Sequence, residues 1–345
     1  MPTVQATDIA DLVASTLRHL GRMKVQQIAQ SLQEYEVFTR WFKKDKLTFD
    51  EGYGIQRNLM YRAGDTARHR GLFDEDVVNI RDVIKQLTVD FRQADTSYAI
   101  AYQEVISNKG ASRIFDLIKT RRAVAMLDLI EQLESKAWGD APAVANVLDP
   151  FGIKYWVVTN SATGFTGGTP NDHSTVGGIN LTTVPNFKNY AGRYVSVTKG
   201  DLIKKMRDMH RKTGFKSPVD VQDYTKGRGS DYRVYVNNTV ISTLEEIGEA
   251  QNENLGRDIA SVDGVDLAFR KNPIRWIPSL DASTNDPVYF INHSTFYPVA
   301  HKGDWFRETQ RHAPNQHDVE EVFVDVRYNY VCVDRRRNGV LETSG

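Results

Sequence analysis

GASRIFDLIKTRRAVAMLDLIEQLESKAW, residues 110–138, decides how this chain is read. Gly110 punctuates its start and Gly139 its end, and no proline or further glycine lies between them, so the spacing predicts one long helix. Ser112 has the chemistry of an N-cap. At about 100° per residue the apolar side chains do not keep to one stripe. Ile114, Phe115 and Ile118 share a face early on. Later the face is Ala123, Met126, Leu127, Ile130, Leu133 and Ala137, on roughly the opposite side, with Arg121, Asp128, Glu131, Gln132 and Lys136 complementing it. A surface helix has one core to face, whereas one that changes its buried side packs against two things; the alternative is a long helix in a single globular core with a domain packed at each end.

Upstream, Thr7-Asp8 can cap a helix reaching about Leu20, and Val25 to Phe42 is a second amphipathic helix with Ile28, Leu32, Tyr35 and Phe38 together. Trp41-Phe42-Lys43-Lys44 ends it, for the molecule's own core or a neighbour to take. The stretch Phe49 to Asp76 differs. Gly52, Gly54, Gly64 and Gly71 break it, Arg57, Arg62, Arg68, His69 and Arg70 make it basic, and Asp74, Glu75 and Asp76 follow. So long a segment with little to bury is either a mobile surface loop or an extended arm. As an arm, its charges would meet partners on another copy through charge-assisted pairs. Val83 to Phe91 and Ser97 to Val105 alternate as strands.

Downstream, Asp149-Pro150-Phe151-Gly152 reads as a turn and Ile153 to Val158 as a strand. Ser161 to Gly178 reads as a wandering surface loop: its glycines lack the Gly-Lys-Ser/Thr of a phosphate loop. Lys199 to Thr213 is a cationic helix with Leu202, Ile203, Met206 and Met209 inward and Gly214 as its stop. Asp231 to Val236, Val262 to Phe269 and Pro287 to Asn292 read as strands, Val240 to Leu255 as a helix, and Asn272 to Pro278 as a rigid turn. Asp318 to Val333 alternates over a long strand or strand pair. Helices and strands mix without regular βαβ alternation, so the class is α+β.

The chain has 345 residues, room for about two domains. Lys+Arg and Asp+Glu are both 44, and a net charge of zero argues against a strong nonspecific nucleic-acid binder. The single cysteine, Cys332, lies in an apolar run and reads as a buried structural thiol, which leaves no intrachain disulfide and no multi-cysteine zinc site. The N-terminus is not patterned as a signal peptide and no apolar run is long enough to span a membrane, so the product is expected to be cytosolic when made. His312 and His317 flank a Pro-Asn-Gln turn near Asp318, Glu320 and Glu321, at a spacing no standard metal motif uses. Glu245-Glu246 and Glu320-Glu321 are adjacent pairs whose carboxylates diverge. No nucleophile elbow, His-Glu-x-x-His, Walker loop or Rossmann fingerprint is present, so catalytic residues, metal and cofactor are all expected to be absent. Trp156, Trp276 and Trp305 read as core or interface anchors.

The order of these elements resembles the major capsid proteins of tailed bacteriophages, the Johnson fold named after phage Hong Kong ninety-seven. The local matches are Asn108-Lys109-Gly110 opening the long helix, Trp138-Gly139 closing it, Asp-Pro-Val-Tyr-Phe-Ile-Asn at Asp286 to Asn292, and the terminal run Tyr328 to Arg336. The resemblance implies an N-terminal arm over 1–48, an extended loop over 49–92 and a peripheral domain over 93–150 with its spine helix at 110–138. An axial domain over 151–317 follows, and 318–345 returns to the peripheral domain. It implies a noncatalytic protein that assembles in the host bacterial cytoplasm into the icosahedral head of a virion. Its partners would be copies of itself in pentamers and hexamers, portal, scaffolding and decoration proteins, and double-stranded DNA held by confinement, with no membrane. Arg57, Arg62, Arg68, Arg70, Asp74, Glu75 and Asp76 would be the inter-subunit contacts. Glu51 to Asp76 holds no lysine for the isopeptide weld some members form, which implies noncovalent clamping. An encapsulin-type compartment and a soluble α+β enzyme are the rival readings.

Overall fold

The structure, a computed structural model, describes residues 35–49, 52–65, 67–69, 71–72, 81–107, 111–145, 148–215, 231–249, 267–310 and 318–344. The expected helix to Leu20, Ile28 and Leu32, Gly110, residues 250–266, and His312 and His317 lie outside these. In chain order the elements begin with a π-helical segment α1 (Val37–Asp45), β1 (Leu47–Phe49), β2 (Gly54–Met60), β3 (Ile84–Asp90), β4 (Arg92–Ala101), α2 (Tyr102–Ser107) and α3 (Ala111–Trp138). Then come α4 (Ile153–Trp156), β5 (Tyr190–Tyr194), α5 (Leu202–Thr213), β6 (Tyr232–Val236), α6 (Asn238–Glu249), β7 (Ala268–Phe269) and β8 (Asn272–Trp276). The chain closes with β9 (Val288–Asn292), β10 (Phe296–Glu308), β11 (Val319–Cys332) and β12 (Gly339–Thr343).

A four-stranded sheet runs β1-β10-β11-β4 and a six-stranded sheet β5-β12-β9-β6-β8-β7, while β2 and β3 form a ribbon of their own. The larger core joins the four-stranded sheet to α1, α3, α4 and the ribbon's base; the smaller one lies between the six-stranded sheet and α5 and α6. Trp41, fully buried, sits in the larger core where the four-stranded sheet meets β6. Its ring lies 5.2 Å from Trp138, 5.3 Å from Phe296, 5.9 Å from Tyr330 and 6.0 Å from Tyr235. The own core therefore takes the aromatic end of the second N-terminal helix, and residues 35–48 of the expected arm are packed into the body.

The long helix stands as read, with Gly139 N–H closing it on Ser135 O at 2.9 Å. Ser112 falls inside it. Its buried stripe is Ala125, Leu129, Leu133 and Ala137, with Trp138. Ala123 is exposed, and Met126, Leu127 and Ile130 are half-buried, so the expected late face is displaced. Steps of four, which the stripe follows, lay a row inclined to the helix axis. Gly152 is needed where the chain returns beneath this end: a Cβ there would meet Ala137 O at 2.6 Å and Lys136 O at 2.7 Å.

Other expectations are corrected. Ile153 to Val158 is not a strand but begins as α4, buried at Ile153, Tyr155 and Trp156. The strand expected over Ser97 to Val105 is Arg92–Ala101, after which Tyr102 opens a helix. Asn272 to Trp276 is β8, parallel to β6, and not a turn. Ser161 to Gly178 does not wander on the surface: Val176 is buried, and Gly164 pairs with Ala191. The sheets do not divide at 151–317, because β10 lies within that range yet pairs with β11, through a three-residue turn from β9. β12, expected to return with β11, instead joins the six-stranded sheet between β5 and β9.

Candidate assembly surface

The ribbon follows from alternation. In β2, Ile55, Arg57 and Leu59 face the body while Gln56, Asn58 and Met60 are exposed. Ile55, Leu87 and Val89 are buried in the large core. Thr88 N–H donates to Gly177 O at 3.0 Å. Gly177 has φ +56 and lies against Leu87 and Trp156, where a side chain would collide with both. The base is thus held from both faces, while the far end is open: Met60 and Ile84 stand opposite each other, 60% and 59% exposed. Tyr53 and Leu72 are also strongly exposed. Large apolar groups exposed in this number mark an interaction site, although the Tyr53 ring, at the base, is met by the Arg327 guanidinium at 5.8 Å.

The basic residues lie at the ribbon's middle and beyond its far end. Arg57 is half-buried, its guanidinium 5.1 Å from the Phe49 ring. Arg62 Nε donates to Asp82 O at 2.8 Å, and its guanidinium lies 5.1 Å from the Tyr61 ring. Beside it Arg81 pairs with Asp65 at 3.0 Å. Arg68 is exposed; Arg70, Asp74, Glu75 and Asp76 lie outside the described residues. The stretch read as lacking apolar material is therefore half of a ribbon, with Arg57 and Arg62 on it.

A second exposed apolar group was not singled out from the sequence: Tyr102 and Ile106 on α2 and Val124 on α3. Tyr102 and Ile106 are four apart, the spacing of one helix face, and that was the available signal. Arg121 ties α2 to α3 by donating to both oxygens of Glu104, at 2.7 and 2.6 Å, and it also reaches Ala99 O at 2.9 Å. Glu104 accepts from Ala101 N–H at 3.3 Å.

An ionisable cluster locks α1 to the six-stranded sheet. Arg40 and Lys44 pair with Asp231 at 2.6 and 3.1 Å, and Arg233 pairs with Glu36 at 2.7 Å. Tyr235 OH lies 2.7 Å from His293 Nε2 and 3.2 Å from Glu36, and accepts from Trp41 Nε1 at 3.0 Å. Burial pushes the Tyr235 hydroxyl well above its usual range and holds His293 well below, with the Arg40 cation adding to the latter. A tyrosine, a histidine and carboxylates in contact could pass protons, but both rings are buried with no exposed face for a substrate. Among the described residues no group of three or more histidines, cysteines or carboxylates could hold a metal. The expected carboxylate pairs stay apart from this cluster: Glu245, Glu246 and Glu320 are exposed and Glu321 is half-buried. Cys332 is buried, and burial raises its thiol.

No protein-family model and no curated protein matches the chain. Solved structures do. The chain is similar to the capsid asymmetric unit of cyanophage A-1(L), at 15% identity over 93% of this chain and 96% of that one, with a TM-score of 0.65. It is similar to the capsid of the native GTA particle, at 9% identity over 94% and 96%, with a TM-score of 0.59. The capsid of Myoviridae phage XM1 matches at 12% identity over 99% of both chains, with a TM-score of 0.54. At these identities the likeness establishes the fold: the chain has the Hong Kong ninety-seven-like α+β fold of phage capsid proteins.

Proposed function

We propose that this protein is the major capsid protein of a tailed phage, a structural subunit whose copies close an icosahedral head around double-stranded DNA. The observation that carries this is the end-to-end match to capsid subunits joined to a ribbon whose apolar far end, at Met60 and Ile84, is exposed among the described residues. A monomer exposing Met60, Ile84, Tyr53 and Leu72 is incomplete, and identical copies supply repeated, individually weak contacts that a closed lattice sums. In this reading the ribbon lies over an adjacent subunit, noncovalently, and Arg62 and Arg68 reach carboxylates there. Copies gather as pentamers and hexamers, portal and scaffolding proteins complete the head, and DNA is retained by confinement, in keeping with a net charge of zero. Assembly takes place in the host bacterial cytoplasm.

The test is electron microscopy of the expressed protein, with light scattering. Shells or capsomers are expected. A compact monomer at every concentration and salt overturns the proposal, and shells that enclose a protein cargo and no nucleic acid in the native host turn it toward the encapsulin reading.

A further inference from the structure

β3 and β4 are separated by Phe91 alone, and the hydrogen bonds around them fix which way each backbone group points. In a strand, the N–H and C=O of one residue point to the same side and those of the next to the other. Tyr102 N–H donates to Asp318 O, continuing the register in which Ala101 lies opposite Val319, so the even-numbered residues of β4 face β11. The odd-numbered residues face outward. Two atoms confirm it: Ala101 N–H goes to Glu104, and Ala99 O receives Arg121. Side chains thus cap the far end of this edge. Among the described residues nothing meets the outward N–H and C=O groups of Gln93, Asp95 and Ser97. β4 has no lysine and no proline, the usual guards of an open edge.

The ribbon carries a matching edge. Tyr61 N–H donates to Val83 O and Phe91 N–H to Tyr53 O, so odd-numbered residues face inward between β2 and β3. Gly54, Gln56, Asn58 and Met60 therefore turn their backbone groups outward, and among the described residues these too lack partners. The side chains that accompany the two edges are Gln93, Asp95 and Ser97 on one and Gln56, Asn58 and Met60 on the other. Asp95 is the lone charge among them, so no like charges oppose each other.

We infer that the outer edge of β2 from one copy adds to the outer edge of β4 of the next, extending the four-stranded sheet across the subunit boundary. This rests on the capsid reading and names the contact by which the ribbon holds its neighbour. Backbone groups on both sides find partners, and the contact is heterologous, the kind that forms a ring when the rotation between copies closes. The ribbon's arginines then set the approach of the two copies and the backbone sets the register.

Proline substitution tests it, because a proline is tolerated at an edge position whose N–H faces outward. Ser97→Pro and Asn58→Pro are expected to leave the unassembled chain folded, with an unchanged circular dichroism spectrum. Their shell yield is expected to fall at least about tenfold, since the loss recurs at every contact. Thr96→Pro, whose N–H faces β11, is the control and is expected not to fold. Hydrogen exchange on the wild type gives a second readout that needs no variant. Read residue by residue, the outward amides of Gln93, Asp95 and Ser97 are expected to exchange rapidly in unassembled protein and slowly in shells, while those of Ala94, Thr96 and Tyr98, bonded to β11, are protected in both. Wild-type shells together with wild-type yield from Ser97→Pro overturn the inference and leave the capsid reading intact. Protection of the Gln93, Asp95 and Ser97 amides already in the monomer also overturns it, since the chain's own residues would then cover the edge. If the wild type forms no shells at all, the capsid reading itself fails.

Discussion

Replacing Glu134 with glutamine should flatten one slope in the pH dependence of stability. Glu134 is buried on α3, where its carboxylate accepts Val37 N–H and Trp138 Nε1, both at 2.9 Å. Burial raises its pKa to about 7 from an ordinary 4.5, the two donors pull the other way, and the nearby Glu36 charge adds to the rise. Between those two values the folded chain holds a proton that the unfolded chain has released, so this group's contribution is complete below pH 4.5 and is lost as pH rises to about 7. At about 1.4 kcal/mol per unit, the loss over the window is about 3 kcal/mol. Glutamine does not titrate, so this contribution vanishes in the variant. His293, held neutral by burial, costs stability as pH falls below its ordinary 6.5, but it does so in both proteins and cancels in the difference. The assay is urea unfolding followed by tryptophan fluorescence from pH 4.5 to 8, at concentrations where scattering shows no assembly. The stability of Glu134→Gln relative to wild type should improve by about 3 kcal/mol across that range. Parallel profiles for the two proteins would refute the buried, protonated carboxyl.

Trp41→Ala should destabilise the chain by about 3–5 kcal/mol in chemical denaturation, since it empties the centre of the larger core among Trp138, Tyr235, Phe296 and Tyr330. Gly152→Ala should lower the thermal midpoint markedly, because the added carbon would press on two carbonyls of the helix end; an unchanged midpoint would show that the return beneath α3 can shift. The double variant Arg62→Ala, Arg68→Ala should hinder assembly while circular dichroism of the monomer stays native, and normal shells from it would count against the arginines. Arg121→Ala should weaken the α2–α3 tie and speed hydrogen exchange in 99–107, without abolishing folding.

The parts of the fold that could be read from sequence are those where one side-chain pattern dominates. Ala111–Trp138 carries no breaker, and β11 alternates over 14 residues, so both stood out. β10, as long as β11 within a residue, was missed altogether because Pro298 and Gly303 interrupt it. The structure absorbs both. Val333 N–H donating to Thr295 O sets the parity that turns position 298 away from β11, and Gly303 falls in the bulge between Ala300 and Trp305. The short strands β1, β5 and β12 offered too few residues for any period to show. Ile153 to Val158 is an apolar run too short for periodicity to separate helix from strand. In the ribbon, the arginines were visible but the strand was not, because its outer face is polar and glycines frame it. The open edges of β2 and β4 could not be seen in any side-chain pattern, because they consist of backbone groups whose direction depends on what pairs on the other side.

The single residue between β3 and β4 has a mechanical meaning. Tension applied to the ribbon along its length enters β4 at Arg92 and is shared along a ladder of ten aligned residue pairs with β11, in the middle of the body. A ladder loaded lengthwise yields only when many bonds slip together, whereas one peeled from its end gives way bond by bond. The projecting finger is in this sense the loose end of a tendon anchored in the palm, and a wall of such units would carry internal pressure through its sheets before straining its loops.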